Sequence, residues 1–448
     1  MLGFVCTTTL TLTPGPLTRT VPQSELRLPP SVMIATGEQL DTSDEGRPGK
    51  KASAAASKSC WTRVLQKKVN FIGAPFCEGQ NLAGADLAPE ALRKAGLKKA
   101  AERLGWEWAD GGDLDFARHF EKRGIATDSK HLADLQRYRD WVASGMSDNF
   151  AIWCRKNPTP EEQAAVAWEL AADQAAAERK HDAHAEGDVK PKHVVNSKLI
   201  GTGLELVYET VSRSASEGAF SLTIGGDHSV AAASISAVQS AYPLLGVIWI
   251  DAHADANTPE TSPSMHYHGM PAAHLMGWFE QRLEGFEWFP DGKVIDESRL
   301  AYIGLRDIDP EEAAMLKASN VHVYTMRDVD KYGIARVVEM AMQGIDPNGR
   351  LPLHLSLDID GVDPMYAPGT GTCARGGLTY REIHYVCEEL ALSERLVGMD
   401  LVEVNPALEQ STPPRERLHG DNPDLKPTTP TVQLAVELVL SALGKTIM

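Results

Sequence analysis

The chain has 448 residues, 43% of them hydrophobic, with 44 Lys and Arg against 61 Asp and Glu and a formal net charge of −17. No apolar run approaches the ~18 residues needed to cross a bilayer. The acidic balance disfavours nucleic acid as the main partner, because phosphate neutralisation needs clustered Lys and Arg. A soluble protein acting on a small neutral or cationic molecule is therefore expected, with neither nucleic acid nor membrane as partner. The six cysteines form no C-x-x-C pair. That is no disulfide framework, so a reducing compartment such as the cytoplasm is expected.

In chain order, residues 1–66 are rich in Thr, Ser, Pro and Ala and lack apolar periodicity. They read as a disordered extension. The first 24 residues hold Arg19 and no acid before Glu25, which leaves organelle import through this segment open. The catalytic part is expected over 67–448. VNFIGAPF reads as a buried strand, and LAPEALRKAGLKKAAERLGW as one helix with Pro89 in its first turn. From about 117 to 192 the pattern is helical and charged. LADLQRYRDWV places Leu132, Leu135, Tyr138, Trp141 and Val142 on one face, and Thr159-Pro160-Glu161-Glu162 opens an Ala-rich run. This zone reads as a helical insertion.

From about 194 onward, helical patterns alternate with the apolar segments FSLTIGG, LLGVIWI, LAYIGL, VHVYTM, LPLHLSL and LVGMDLVEV. Such alternation predicts an α/β fold with a parallel sheet covered on both faces. Ligands then gather beyond the carboxyl ends of the strands. Three of these ends carry metal-ligand residue types. FSLTI runs into Gly225-Gly226-Asp227-His228-Ser229, LLGVIWI into Asp251-Ala252-His253-Ala254-Asp255, and LPLHLSL into Asp358-Ile359-Asp360-Gly361-Val362-Asp363. Residues two apart in an extended chain share a side, so Asp251, His253 and Asp255 converge, as do Asp358 and Asp360. With His228 they offer four carboxylates and two imidazoles without a thiol, a donor set suited to Mn²⁺ or a similar ion. Six ligands exceed the three usual at a catalytic zinc. Two ions about 3.5–4 Å apart, bridged by carboxylates, account for the surplus and can hold a bridging hydroxide. KHDAHAEGD, at 180–188, repeats the Asp-Ala-His-Ala pattern but follows an Ala-rich helical run and reads as a solvated turn. His354 reads as a buried, hydrogen-bonded histidine, Asp363 as a turn former and Asp227 as support for its neighbours.

The signatures GGDHS (225–229), DAHAD (251–255) and SLDIDGVDP (356–364) resemble the ureohydrolase family, and within it the arginase branch. The resemblance covers about 69–116 and 194–444. It implies a three-layer α/β/α sandwich around an eight-stranded, mostly parallel sheet, assembled as a homotrimer or a hexamer. It implies two manganese ions per subunit, one on His228, Asp251, Asp255 and Asp358 and the other on His253, Asp251, Asp358 and Asp360. A metal-bridging hydroxide would attack the guanidinium carbon of L-arginine, giving L-ornithine and urea. By motif position, Asn257 and Ser264 match contacts to the substrate α-carboxylate, with Ser262 nearby. Asp309 matches the α-amino contact, Glu312 lies close by, and Thr372 matches a neighbour of the site. Glu403 matches the guanidinium partner, Asp255 the group that holds the hydroxide, and His268 the proton shuttle. His266 stands where the usual loop has Asn. Agmatine, or another guanidino compound, is the alternative substrate, and the Asn257, Ser264 and Asp309 set favours arginine over it. A binding protein without turnover and a single-zinc deacetylase are further rivals. The full ligand set argues against the first, and His253 with Asp360 against the second.

Overall fold

The computed structural model describes residues 67–125, 193–409 and 428–446. The extension 1–66, most of the expected insertion, and KHDAHAEGD lie outside the described residues. Eight strands form one sheet: β1 (Lys68–Ala74), β2 (Glu107–Asp113), β3 (Phe220–Gly225), β4 (Gly246–Ile250), β5 (Leu300–Leu305), β6 (His322–Thr325), β7 (Leu353–Asp358) and β8 (Leu396–Val402). Their order is β2-β1-β3-β8-β7-β4-β5-β6, and every pairing is parallel.

The described helices are α1 (Ala88–Ala95), α2 (Leu97–Arg103), α3 (Phe116–Arg123), α4 (Ser197–Ser216), α5 (Val230–Ala241), α6 (Pro271–Leu275), α7 (Pro310–Ala318), α8 (Met326–Tyr332), α9 (Ile334–Ile345), α10 (Tyr380–Leu392) and α11 (Pro430–Ala442). Strand period two divides the core between two faces. Ile248 and Ile250 of β4 belong to one core cluster with Leu92 of α1, Val337 of α9, Ile383 of α10 and Val436 of α11. Val247 and Trp249 pack with Leu204 of α4, Ile235 of α5 and Leu275 of α6. Each such side chain contributes about 1.5–3 kcal/mol by leaving water. The result is the expected three-layer sandwich.

Two elements differ from the sequence expectation. The single helix expected after β1 is two, because Gly96 adopts φ 101°, a left-handed conformation that glycine enters without penalty, and caps α1. Strand β2 was not expected. Its sequence EWADGGD has neither alternation nor β-branched residues, and it lies largely exposed at the sheet edge. It is held from outside its own sequence: β1 supplies the ladder, and Arg93 of α1 pairs with Asp110 at 2.8 Å and with Asp113. Helix α3 falls at the start of the expected insertion, with Phe116 and Phe120 buried against the α4 face of the core.

The four central strands are β3, β8, β7 and β4, and consecutive β3 and β4 flank the pair formed last. Their carboxyl ends are level, with Ile224 beside Leu401, Leu357 beside Leu401, and Ile250 beside Leu357. That is the crevice position at which open α/β sheets bind ligands.

Candidate active site

The six ligand-type residues come together at these strand ends. His228 follows β3 and its Nδ1 lies 3.1 Å from Asp251 Oδ2, 2.9 Å from Asp255 Oδ2 and 3.3 Å from Asp358 Oδ2. His253 Nδ1 lies 3.5 Å from Asp251 Oδ1 and 3.0 Å from Asp360 Oδ2. Two clusters with metal-ligand spacing result, His228–Asp251–Asp255 and Asp251–His253–Asp360, sharing Asp251.

The convergence arises differently from the extended alternation expected. Strand β4 stops at Ile250, and Asp255 has φ 49°, a left-handed turn that swings its carboxylate back toward His228. Asp358 ends β7, and Ile359–Gly361 is a 3₁₀ turn in which the Asp360 N–H donates to Asp358 Oδ1 at 2.8 Å. Left-handed non-glycine residues are costly and concentrate at functional sites. Glu403, at φ 60°, is another.

The donor set fits divalent cations. Although three carboxylates surround His228 Nδ1, that buried atom has no hydrogen-bond partner, while Nε2 is 2.9 Å from Ser356 Oγ. An imidazole held at one nitrogen, with the other aimed into carboxylates, is oriented as a metal ligand is. The charges agree. Burial and the neighbouring Asp360 and Asp251 push Asp358 well above the usual carboxylate range. Burial and Asp251 raise Asp255 to about 6. Against the burial penalty, Asp251 and Asp360 push His253 up to about 12. These are the shifts of an anion cluster short of positive charge.

A cleft of about 340 Å³ opens over the clusters, lined by His253, Asp255 and Asp358 below and by Asn257, Ser264, His266, His268, Asp309, Glu312 and Thr372 around it. Asn257 Nδ2 donates to Asp309 Oδ2 at 2.9 Å, joining the loops after β4 and β5. Glu312 is buried and accepts the Ala256 N–H at 2.7 Å and the Asp309 N–H at 3.2 Å, so it caps α7 and ties the same two loops. Thr372 Oγ1 donates to Asp360 Oδ2 at 2.8 Å. Ser264 and His266 stand on the wall, with the Ser264 hydroxyl accepting the His266 N–H at 3.3 Å. Ser262 is buried and accepts the Met265 N–H at 2.9 Å.

Glu403, just after β8, accepts the His228 N–H at 3.0 Å and lies 3.3 Å from His268 Nδ1. Burial works against the His268 cation, but Glu403 and then Asp255 and Asp227 hold its pKa at about 9. The supporting residues behave as expected. His354 bonds Asp400 at 2.9 Å with both side chains buried. Asp363 accepts N–H groups from Met365, Gly376 and Gly377. Asp227 accepts from Gly79 and Ser229.

Sequence reasoning missed several participants. Trp249 stacks on His228 at 4.4 Å and donates Nε1–H to Asp251 Oδ2 at 3.0 Å. Its place two residues before Asp251 on one strand face was the available signal. Ser356, two before Asp358, was legible in the same way. Arg306 donates to the carbonyls of Gly304, Asp360, Gly361 and Ala374 and so clamps the Asp360 turn to the Thr372 loop. Gln80 Nε2 donates to Glu403 Oε2 at 2.8 Å. No local pattern marks either residue, because their partners are remote in sequence.

The Arginase family profile matches residues 155–444. An arginase of Glaciozyma antarctica is 41% identical over 85% of this chain and 89% of its own length. Human arginase-2, mitochondrial, is 33% identical over 86% of this chain and 87% of its own. Among solved structures, arginase from Bacillus caldovelox superposes with a TM-score of 0.61 at 28% identity, covering 85% of this chain and 99% of that one. With the strand order and the convergent His and Asp side chains, these matches make the chain a member of the arginase family.

Proposed function

We propose that the chain hydrolyses L-arginine to L-ornithine and urea, with two manganese ions per subunit. One set of ligands would be His228, Asp251, Asp255 and Asp358, and the other His253, Asp251, Asp358 and Asp360. When bound, the ions supply Lewis acidity and acidify water toward neutral pH. The observation that carries the reading is the pair of clusters sharing Asp251 beneath a cleft whose wall joins Asn257 to Asp309.

The chain's own residues divide the work. Glu403 orients the guanidinium, a planar cation that pairs in plane with a carboxylate. Asn257 and Ser264 hold the α-carboxylate, and Asp309 the α-amino group, with Glu312 fixing both loops. Thr372 steadies Asp360. Asp255, between His228 and the cleft, accepts the proton of the attacking water. His268, held beside Glu403, delivers a proton to the departing amine as the C–N bond breaks. The outcome is addition of water, release of urea and release of ornithine. His266 lines the same wall and is read as an additional polar contact to the carboxylate end.

The test is urea release from metal-stripped protein with and without added Mn²⁺, comparing L-arginine with agmatine. Manganese-dependent urea from arginine is expected. Urea from agmatine alone would overturn the roles of Asn257, Ser264 and Asp309 while keeping the metal site. A homotrimer or hexamer is also proposed, and light scattering at the mass of the monomer would refute it. Whether residues 1–66 direct an otherwise cytoplasmic chain into an organelle is tested by locating tagged chains with and without them.

A further inference from the structure

Glu403 is buried, yet its carboxylate is met from three directions. Oε1 accepts the His228 backbone N–H at 3.0 Å and faces His268 Nδ1 at 3.3 Å. Oε2 accepts from the side chain of Gln80 at 2.8 Å. Gln80 comes from the loop between β1 and α1, so it crosses above the end of β3 to reach a residue that follows β8.

That loop is anchored where Glu403 itself is anchored. The Gly79 N–H donates to Asp227 Oδ2 at 2.7 Å, and the Gly79 carbonyl accepts the His268 N–H at 3.2 Å. The backbone of Phe76 lies so close to Gly226 that a Cβ on Gly226 would fall 1.8 Å from the Phe76 carbonyl oxygen. The Gly226 carbonyl accepts the Glu403 N–H at 2.8 Å, holding Glu403 in its left-handed conformation. Gln80 and Glu403 are thus mounted on one Gly226–Asp227 turn.

We propose that Gln80 is a positioning residue for the guanidinium partner Glu403, fixing the plane of its carboxylate. The terminal torsion of a glutamate is broad and roughly two-fold. Donors on both oxygens remove that freedom, so the guanidinium meets a carboxylate plane already set, and alignment of this kind is worth large factors in rate. An amide suits the task because it donates without charge. Lys or Arg at position 80 would pair with Glu403 and compete with the guanidinium, and a carboxylate would repel it. The His268 side cannot substitute, because that imidazole also carries the transferred proton. The inference rests on the reading of Glu403 as guanidinium partner.

The test uses the full chain loaded with Mn²⁺, comparing wild type, Gln80→Met, Gln80→Glu and each Gln80 variant in a Glu403→Gln background. Losing a hydrogen bond to a charged group predicts a roughly 10- to 100-fold fall in kcat/KM for L-arginine in Gln80→Met. Mn²⁺ affinity, by metal titration, stays at the wild-type value, because Gln80 touches no metal-ligand side chain. Gln80→Glu is the worse variant although it is the closer in shape. In the Glu403→Gln background, Gln80→Met causes no further loss. The proposal falls if Gln80→Met keeps wild-type kcat/KM, if Gln80→Glu is milder than Gln80→Met, if the two losses multiply, or if Gln80→Met weakens Mn²⁺ binding. Wild type that releases no urea from L-arginine would remove the parent reading. An active wild type with an equally active Gln80→Met would remove this inference alone.

Discussion

The floor and the rim of the cleft are built on different terms. On the floor, His228, Asp251, Asp358 and Asp360 are buried at strand ends, each within 3% of complete burial. Their backbones belong to the ladder or to turns that close within two residues. On the rim, Ser264 is exposed and Asp307 has a side chain 74% exposed. Rim groups are placed by bonds between loops, as Asn257 is by Asp309. The floor residues form two ligand clusters joined through Asp251, so the loss of one ligand disturbs the whole set. A rim contact is partly solvated and can be replaced by water. The floor should therefore respond to mutation as a unit, and the rim by degrees.

The largest effect expected is at the group both clusters share. Asp251→Ala should abolish Mn²⁺ retention and arginine hydrolysis together, a loss of at least about a thousandfold given the non-additivity of groups that act as a unit. Metal content and urea release measure it, and full activity in this variant would erase the distinction between floor and rim. Next come Ser356→Ala and Trp249→Phe, which remove the hydrogen bonds aiming His228 and Asp251. Each should weaken Mn²⁺ binding roughly 10- to 100-fold, the usual range for partners of metal ligands. On the rim, Asn257→Ala should raise KM for L-arginine roughly tenfold while changing kcat little, the signature of lost uniform binding. It should also narrow the preference over agmatine. A collapse of kcat in Asn257→Ala would place that residue with the floor.

The same contrast explains what could be read in advance. The floor was legible because a strand has period two. Asp251 and Asp358 follow apolar strands directly, and the spacing of His253 and Asp360 placed them near. Even there the route was different, since a left-handed Asp255 and a 3₁₀ turn at Ile359–Gly361 do what extension was expected to do. Six apolar segments between 220 and 404 became strands, five of them drawn into the sheet by burial on both faces and β6 half-buried at its edge. Strand β2 stayed hidden because its stability comes from β1 and Arg93 rather than from its own residues. The rim assignments came from resemblance, since no periodicity places Ser264 or Asp309. Gln80 and Arg306 were invisible for a related reason. Each acts on a partner brought close only by the completed sheet: Glu403 lies 323 positions from Gln80, and the Asp360 carbonyl 54 from Arg306.

The smallest effect concerns the residue that joins the two regions. His268 stands on the cleft wall and reaches down to Glu403. Glu403 and Asp255 raise its pKa to about 9 against the cost of burial, above the ordinary value of about 6.5. A folded-state pKa raised in this way adds stability that is fully present below pH 6.5 and is lost as pH rises through 9. In the metal-stripped chain, one imidazole should therefore titrate near pH 9 by NMR, and His268→Asn should remove that signal. The thermal midpoint of wild type relative to His268→Asn should be higher at pH 6 than at pH 10. With Glu403→Gln the titration should move down, because the neutral amide no longer favours the cation. An unchanged titration in Glu403→Gln would mean that the Asp255 and Asp227 carboxylates hold the proton on His268, so that it belongs electrostatically to the floor although it stands on the wall.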